Sequence, residues 1–159
     1  QMCIRDRDKL FAIYEANGAG VNRNPVAHVF DLDLESYSEI EIENIEYRIT
    51  DATEPDADGT FWVMNYFFPG DSELLPSSDP IAAEFGLGET HQASETVERL
   101  LKFIIDNEGI HLADDPPIYL ELLVDDSRNW EGVVRYGDGF LLVTDKFPTT
   151  ILAFVKTEE

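Results

Sequence analysis

Acidic and amide side chains recur at matched places along this chain. Asp8-Lys9-Leu10-Phe11-Ala12-Ile13-Tyr14-Glu15, Asp58-Gly59-Thr60-Phe61-Trp62-Val63-Met64-Asn65 and Asp138-Gly139-Phe140-Leu141-Leu142-Val143-Thr144-Asp145 align without a gap, at offsets of 50 and then 80 residues. Each opens on Asp, runs through apolar residues and ends on an oxygen-bearing side chain. Upstream, Arg48-Ile49-Thr50-Asp51 aligns with Arg128-Asn129-Trp130-Glu131, again 80 apart. The pattern therefore sets Asp51 with Asn65 and Glu131 with Asp145, while the first copy contributes Glu15. Oxygen ligands converging from successive repeats suit Ca²⁺, which takes six to eight of them, with magnesium or manganese as second choices. The same residue types also cap turns and bond backbone N–H groups, knitting one repeat to the next. Both readings stay open at this point.

Arg48 and Arg128 occupy equivalent slots three positions before those acids, and Lys146 follows Asp145. Guanidinium groups there could clamp a carboxylate or phosphate bidentately. They could equally form ion pairs with Asp51, Glu131 or Glu46. A metal with arginines beside it suits hydrolysis of a phosphate or carboxylic ester, with Glu131 or Asp51 as base. The substrate would then be a small anion. The histidines offer less: His28 falls inside an apolar run, His91 in a long loop and His111 in an expected turn. There is no Ser-His-Asp spacing, phosphate-binding loop or dinucleotide fingerprint. The acidic run Asp51–Asp58 lacks the spacing of a calcium-binding helix–loop–helix.

These residues need strands to hold them. Asp-Gly before an apolar run is a hairpin signal. Paired strands are expected at 50–54 with 60–67, and at 130–135 with 140–145. A third run follows each pair: Pro25–Leu32, Val97–Ile105 and Thr149–Val155. A fourth follows in two cases, Ser38–Ile45 and Ile118–Val124. Trp62, Trp130, Phe61, Tyr66, Phe67 and Phe68 are expected to pack between repeats. Four antiparallel strands per repeat, at a period near 50, predict an all-β chain: a partial β-propeller of about two to three blades from a larger ring. The first strand of each blade would line the central channel. The middle copy carries a Pro- and Gly-rich inserted loop over 68–98, with a short helix near Ile81–Phe85. Gln1–Arg7 (QMCIRDR) shows no strand period and resembles a translated sequencing-adaptor scar. Residues 8–159 then read as the C-terminal part of one propeller domain, with the remaining blades of the chain upstream.

Composition narrows the partners. The 159 residues carry 33 Asp and Glu against 11 Lys and Arg, a net charge of −22, with 43% hydrophobic residues. That content affords a core. The charge repels phosphate backbones and anionic lipid, so neither nucleic acid nor a membrane surface is an expected partner. The lone Cys3 excludes an internal disulfide framework.

The stretch Asn129-Trp130-Glu131-Gly132-Val133-Val134, with Gly139–Asp145 and Thr150–Val155, resembles the closing blade of bacterial phytase-like, esterase-like β-propeller proteins. More distantly it is similar to gluconolactonase and strictosidine-synthase-like propellers. The resemblance implies a central divalent metal held in part by a Glu before Gly, which Glu131 matches; Asp51, followed by Ala52, departs from that pattern. It further implies export to the periplasm or extracellular space. Two functions remain in view: a metal-dependent ester hydrolase at the channel rim, or a non-catalytic propeller binding a ligand or protein partner through its rim and the 68–98 loop.

Overall fold

The structure, a computed structural model, describes residues 2–6, 8–122 and 127–157. They build three antiparallel meanders in chain order. The first sheet runs β1 (Met2–Asp6), β2 (Lys9–Ile13), β4 (Val26–Asp31), β5 (Tyr37–Glu41). The second runs β6 (Tyr47–Ala52), β7 (Thr60–Phe67), β8 (Val97–Ile105) and β10 (Ile118–Tyr119). Short β3 (Ala16–Asn17) lies on the outer edge of β6, and β9 (Ile110–Leu112) folds back on β8. The third holds β11 (Trp130–Tyr136), β12 (Gly139–Thr144) and β13 (Leu152–Lys156). The chain is therefore all-β with antiparallel sheets, as expected. Among the described residues no helix is long and apolar enough to cross a membrane.

The repeat survives at the level of register. Ala52 faces Val63 in the second sheet and Gly132 faces Val143 in the third. Two residues then oppose one: Thr50 and Asp51 lie against Met64, Trp130 and Glu131 against Thr144, a bulge at the same place in both. In the first sheet Met2 faces Ile13, which matches Ala52 and Val63 at the offset of 50. A β-bulge re-aims the side chains beside it, so Asp51 and Glu131 leave their strands at equivalent kinks.

Alternation along the middle strands explains the core. In β7, Phe61 and Val63 pack with Phe11, Ile13 and Val29 of the first sheet. Met64 and Tyr66 point the other way, with Trp62 beside them, onto Trp130, Val133, Phe140 and Leu142 of the third. Side chains on a strand face opposite sides in turn, and here both sides are covered. Trp62 lies 5.3 Å from the Phe140 ring, the packing expected of it between repeats.

Several local expectations change. Met2–Asp6 is a strand in spite of its aperiodic sequence, because the backbone edge of β2 supplies its ladder whatever its side chains are. Gln1 and Arg7 lie outside the described residues. The expected strand 118–124 shrinks to Ile118–Tyr119, and its Leu123 and Val124 also lie outside the described residues. His111 sits in strand β9, not in a turn, since residues 106–109 make the hairpin with Gly109 at φ +147°. Phe68 is 48% exposed and packs between no sheets. The last hairpin turns at Gly137-Asp138, with Gly137 at φ +59°, so Gly139 already belongs to β12. A glycine at the first central position suits a two-residue turn of this kind.

Candidate functional site

Asp51 does not open its strand. β6 begins at Tyr47, so Asp51 stands near its end, beyond the bulge. The bulge turns its carboxylate toward the third sheet, where Oδ2 accepts the Val133 N–H at 2.7 Å. Partial burial raises its pKa, against the pull of the Val133 and Ala52 amides. Asn65 is fully buried, and its side chain is completely engaged. Nδ2 donates to the carbonyls of Glu46 and Arg48, and Oδ1 accepts from Arg99 Nε at 2.8 Å.

The cations are held as well. Arg48 donates through Nη1 to Glu15 at 2.5 Å and through Nε to Asp71 at 2.9 Å. Burial works against its charge, but those two bonds outweigh it and raise its pKa. Glu15 comes within reach because its carbonyl takes the Ile49 N–H, which lays the β2–β3 connection along β6. Arg128 pairs with Glu98, not with the acids of the rim. Its Nε and backbone N–H reach the two Glu98 oxygens at 2.7 and 2.9 Å, and Trp130 Nε1 adds a bond of 2.7 Å. Lys146 donates to the Ser127 carbonyl at 2.8 Å.

Glu131 is exposed. Its surroundings nonetheless raise its pKa, through desolvation first and then through Glu15 and Asp145, with Arg48 and Asn129 opposing. The structure thus brings Glu15, Arg48, Glu131 and Asp145 into one neighbourhood from all three meanders. Asp51 and Asn65 face other partners. A calcium shell needs several free oxygens. Asn65 offers its oxygen to a guanidinium, and one Asp51 oxygen holds an amide. Among the described residues no three Asp, Glu, His or Cys side chains gather closely enough to hold a metal ion. Of the five residues, Asp51 and Asn65 are thus committed to other partners, while Glu15, Glu131 and Asp145 lie near one another.

Sequence reading passed over the strongest polar cluster, centred on Glu98 and Arg99 in β8. Both are fully buried. Adjacent strand residues face opposite ways, so Glu98 meets the third sheet while Arg99 turns toward the inserted segment. There Asp79 binds Arg99 through both oxygens, at 2.7 and 3.1 Å, and Tyr119 Oη lies 3.3 Å away. Asp79 also caps α1 (Pro80–Phe85), accepting the N–H groups of Ile81 and Ala82. That helix stands where the sequence placed one. His91, also buried, accepts the Glu98 N–H at Nε2 and rests against Tyr119; burial lowers its pKa. The signal was available: a Glu-Arg pair inside a nine-residue apolar strand demands two countercharges on opposite faces.

No protein-family model, curated protein or solved structure matches the chain.

Proposed function

We propose that the three meanders are successive blades of a β-propeller, and that the chain is a non-catalytic scaffold binding its ligand through the inserted segment 68–98. One observation carries the functional half: polar side chains near the first strands of the second and third sheets join those two sheets. Asp51 holds Val133, Arg128 holds Glu98, and Arg135 lies 2.7 Å from Asp56. Guanidinium groups used in this way are not free to clamp a substrate anion. The ring is supported by the order of the first strands, since β6 contacts β1 on one side and β11 on the other. It is supported too by the shared bulge and by the resemblance of the third sheet to a closing blade. Val134, Tyr136, Leu152 and Phe154 leave an exposed apolar face on that sheet, of the kind a further blade covers. A blade set on the third as the third sits on the second would bring an amide to Glu131, as Val133 comes to Asp51.

Hydrolysis of a phosphate or carboxylic ester is the second reading. It is favoured by Glu131, because its carboxyl binds its proton more firmly than an ordinary glutamate, a shift in the direction a general acid needs. Assays with 4-nitrophenyl acetate and 4-nitrophenyl phosphate, with and without millimolar calcium, separate the two. The scaffold predicts background rates and no calcium-dependent rise in Tm. Turnover that disappears in Glu131→Gln overturns it.

A further inference from the structure

The inserted segment does not lie flat on the second sheet. Between α1, the turn Glu89–Ala93 and the start of β8 it leaves a cleft of about 450 Å³. Tyr47, Leu75, Ala83, Leu87, His91 and Thr96 are among its walls. That size and mixture, apolar with a few polar groups, is typical of small-molecule sites.

Tyr47 is the unusual member. Its φ of +73° is a left-handed conformation that a bulky residue adopts only under constraint from its surroundings. Its ring is wedged 4.8 Å from Phe67, with the Arg99 guanidinium 5.8 Å away, and only 6% of the residue is exposed. Yet among the described residues its hydroxyl has no hydrogen-bond partner, and it is not sealed off from solvent. A hydroxyl that no described residue engages, on a side chain held this tightly in a cleft wall, is a donor already positioned for a ligand. Burial and then Asp79 push the Tyr47 pKa up to about 12, so this hydroxyl keeps its proton and donates.

We propose that the cleft binds an uncharged small molecule with an apolar body and one hydrogen-bond acceptor, which the Tyr47 hydroxyl engages. The proposal rests on the scaffold reading and names its ligand class. Charge settles the class. Among the described residues an anion finds no free cation on the cleft wall, because Arg99 is held by Asp79 and Asn65. A cation finds the Asp79 carboxylate already taken by Arg99 and two amides. Burial lowers the His91 pKa, and Glu95, also on the cleft wall, is exposed.

Benzamide, a flat apolar ring with an amide oxygen, is the probe. Titrated at millimolar concentration into the ¹⁵N-labelled chain, it should shift the amides of Ala82, Leu87 and Val97. Tyr47→Phe, which keeps the ring, should weaken binding about twofold to tenfold, the worth of one hydrogen bond. Ala83→Trp, made at an exposed position on the cleft wall, should abolish it. Benzoate and benzylamine should bind at least about tenfold more weakly, as charged groups entering without a partner. Absence of shifts with benzamide, equal affinity in Tyr47→Phe, or equal affinity for the charged analogues overturns the proposal. Any of these with background ester hydrolysis leaves the scaffold reading standing. Turnover lost in Glu131→Gln removes that reading whatever benzamide does.

Discussion

The second and third sheets share a bulge and a register, yet the second is buried on both faces and the third on one. In β7, Phe61 and Met64 point to opposite sides and are both fully buried. In β12, Phe140 and Leu142 are buried while Val143 is 38% exposed, and on β13 Leu152 is 71% exposed. The repeat therefore sets the strand path, and the neighbours set the burial. The charges follow the same rule. Glu98 and Arg99 lie inside because sheets or insert on either side supply countercharges. Glu131, the partner of Asp51 in the repeat, stays exposed because no neighbour has closed over it.

The sharpest way to break this contrast is to empty both sheets of one aromatic ring. Phe61→Ala should lower stability by about 3–5 kcal/mol, as a core cavity does. Phe154→Ala, on a half-exposed position, should lower it by less than about 1 kcal/mol. Urea midpoints measure both, and equal losses would mean the third sheet is as enclosed as the second. A smaller effect separates the two bulges. Asp51→Ala strands the Val133 N–H between sheets and should cost about 1–3 kcal/mol, with faster hydrogen exchange at Val133. Glu131→Ala should stay within about 0.5 kcal/mol.

The smallest effect is a matter of sign. The Glu131 carboxyl binds its proton more firmly in the folded chain than in the unfolded one. Its favourable contribution is then complete at low pH and is lost as pH rises through the raised value. Glu131→Gln removes that loss. Its Tm should exceed the parent's by about 1–2 °C near neutral pH, with no difference below about pH 4. A lower Tm at neutral pH would show that the carboxylate holds a stabilising partner.

The strands were legible because their signals are local. Asp58-Gly59 and the apolar run after it place β7, and the gapless match 80 residues on carries the pairing as far as the bulge. β9 was not legible, because nothing in Ile110-His111-Leu112 distinguishes a strand from a turn until β8 offers an edge. The site residues were found as a list of positions and not as partners. Arg48 and Arg128 do form ion pairs, but with Glu15, Asp71 and Glu98, which approach from other sheets and from the insert. Equivalent slots in a repeat do not share neighbours once one copy carries an insertion.

Asp79 has a consequence of its own. One carboxylate starts α1 and also neutralises a guanidinium with no access to water. Lifting the insert off the sheet would break both the ion pair with Arg99 and the contacts that bury it. Although it looks like decoration in sequence, the segment is tied to the strands by a buried ion pair. A protease sampling transient openings should find its bonds no easier to reach than those of β8.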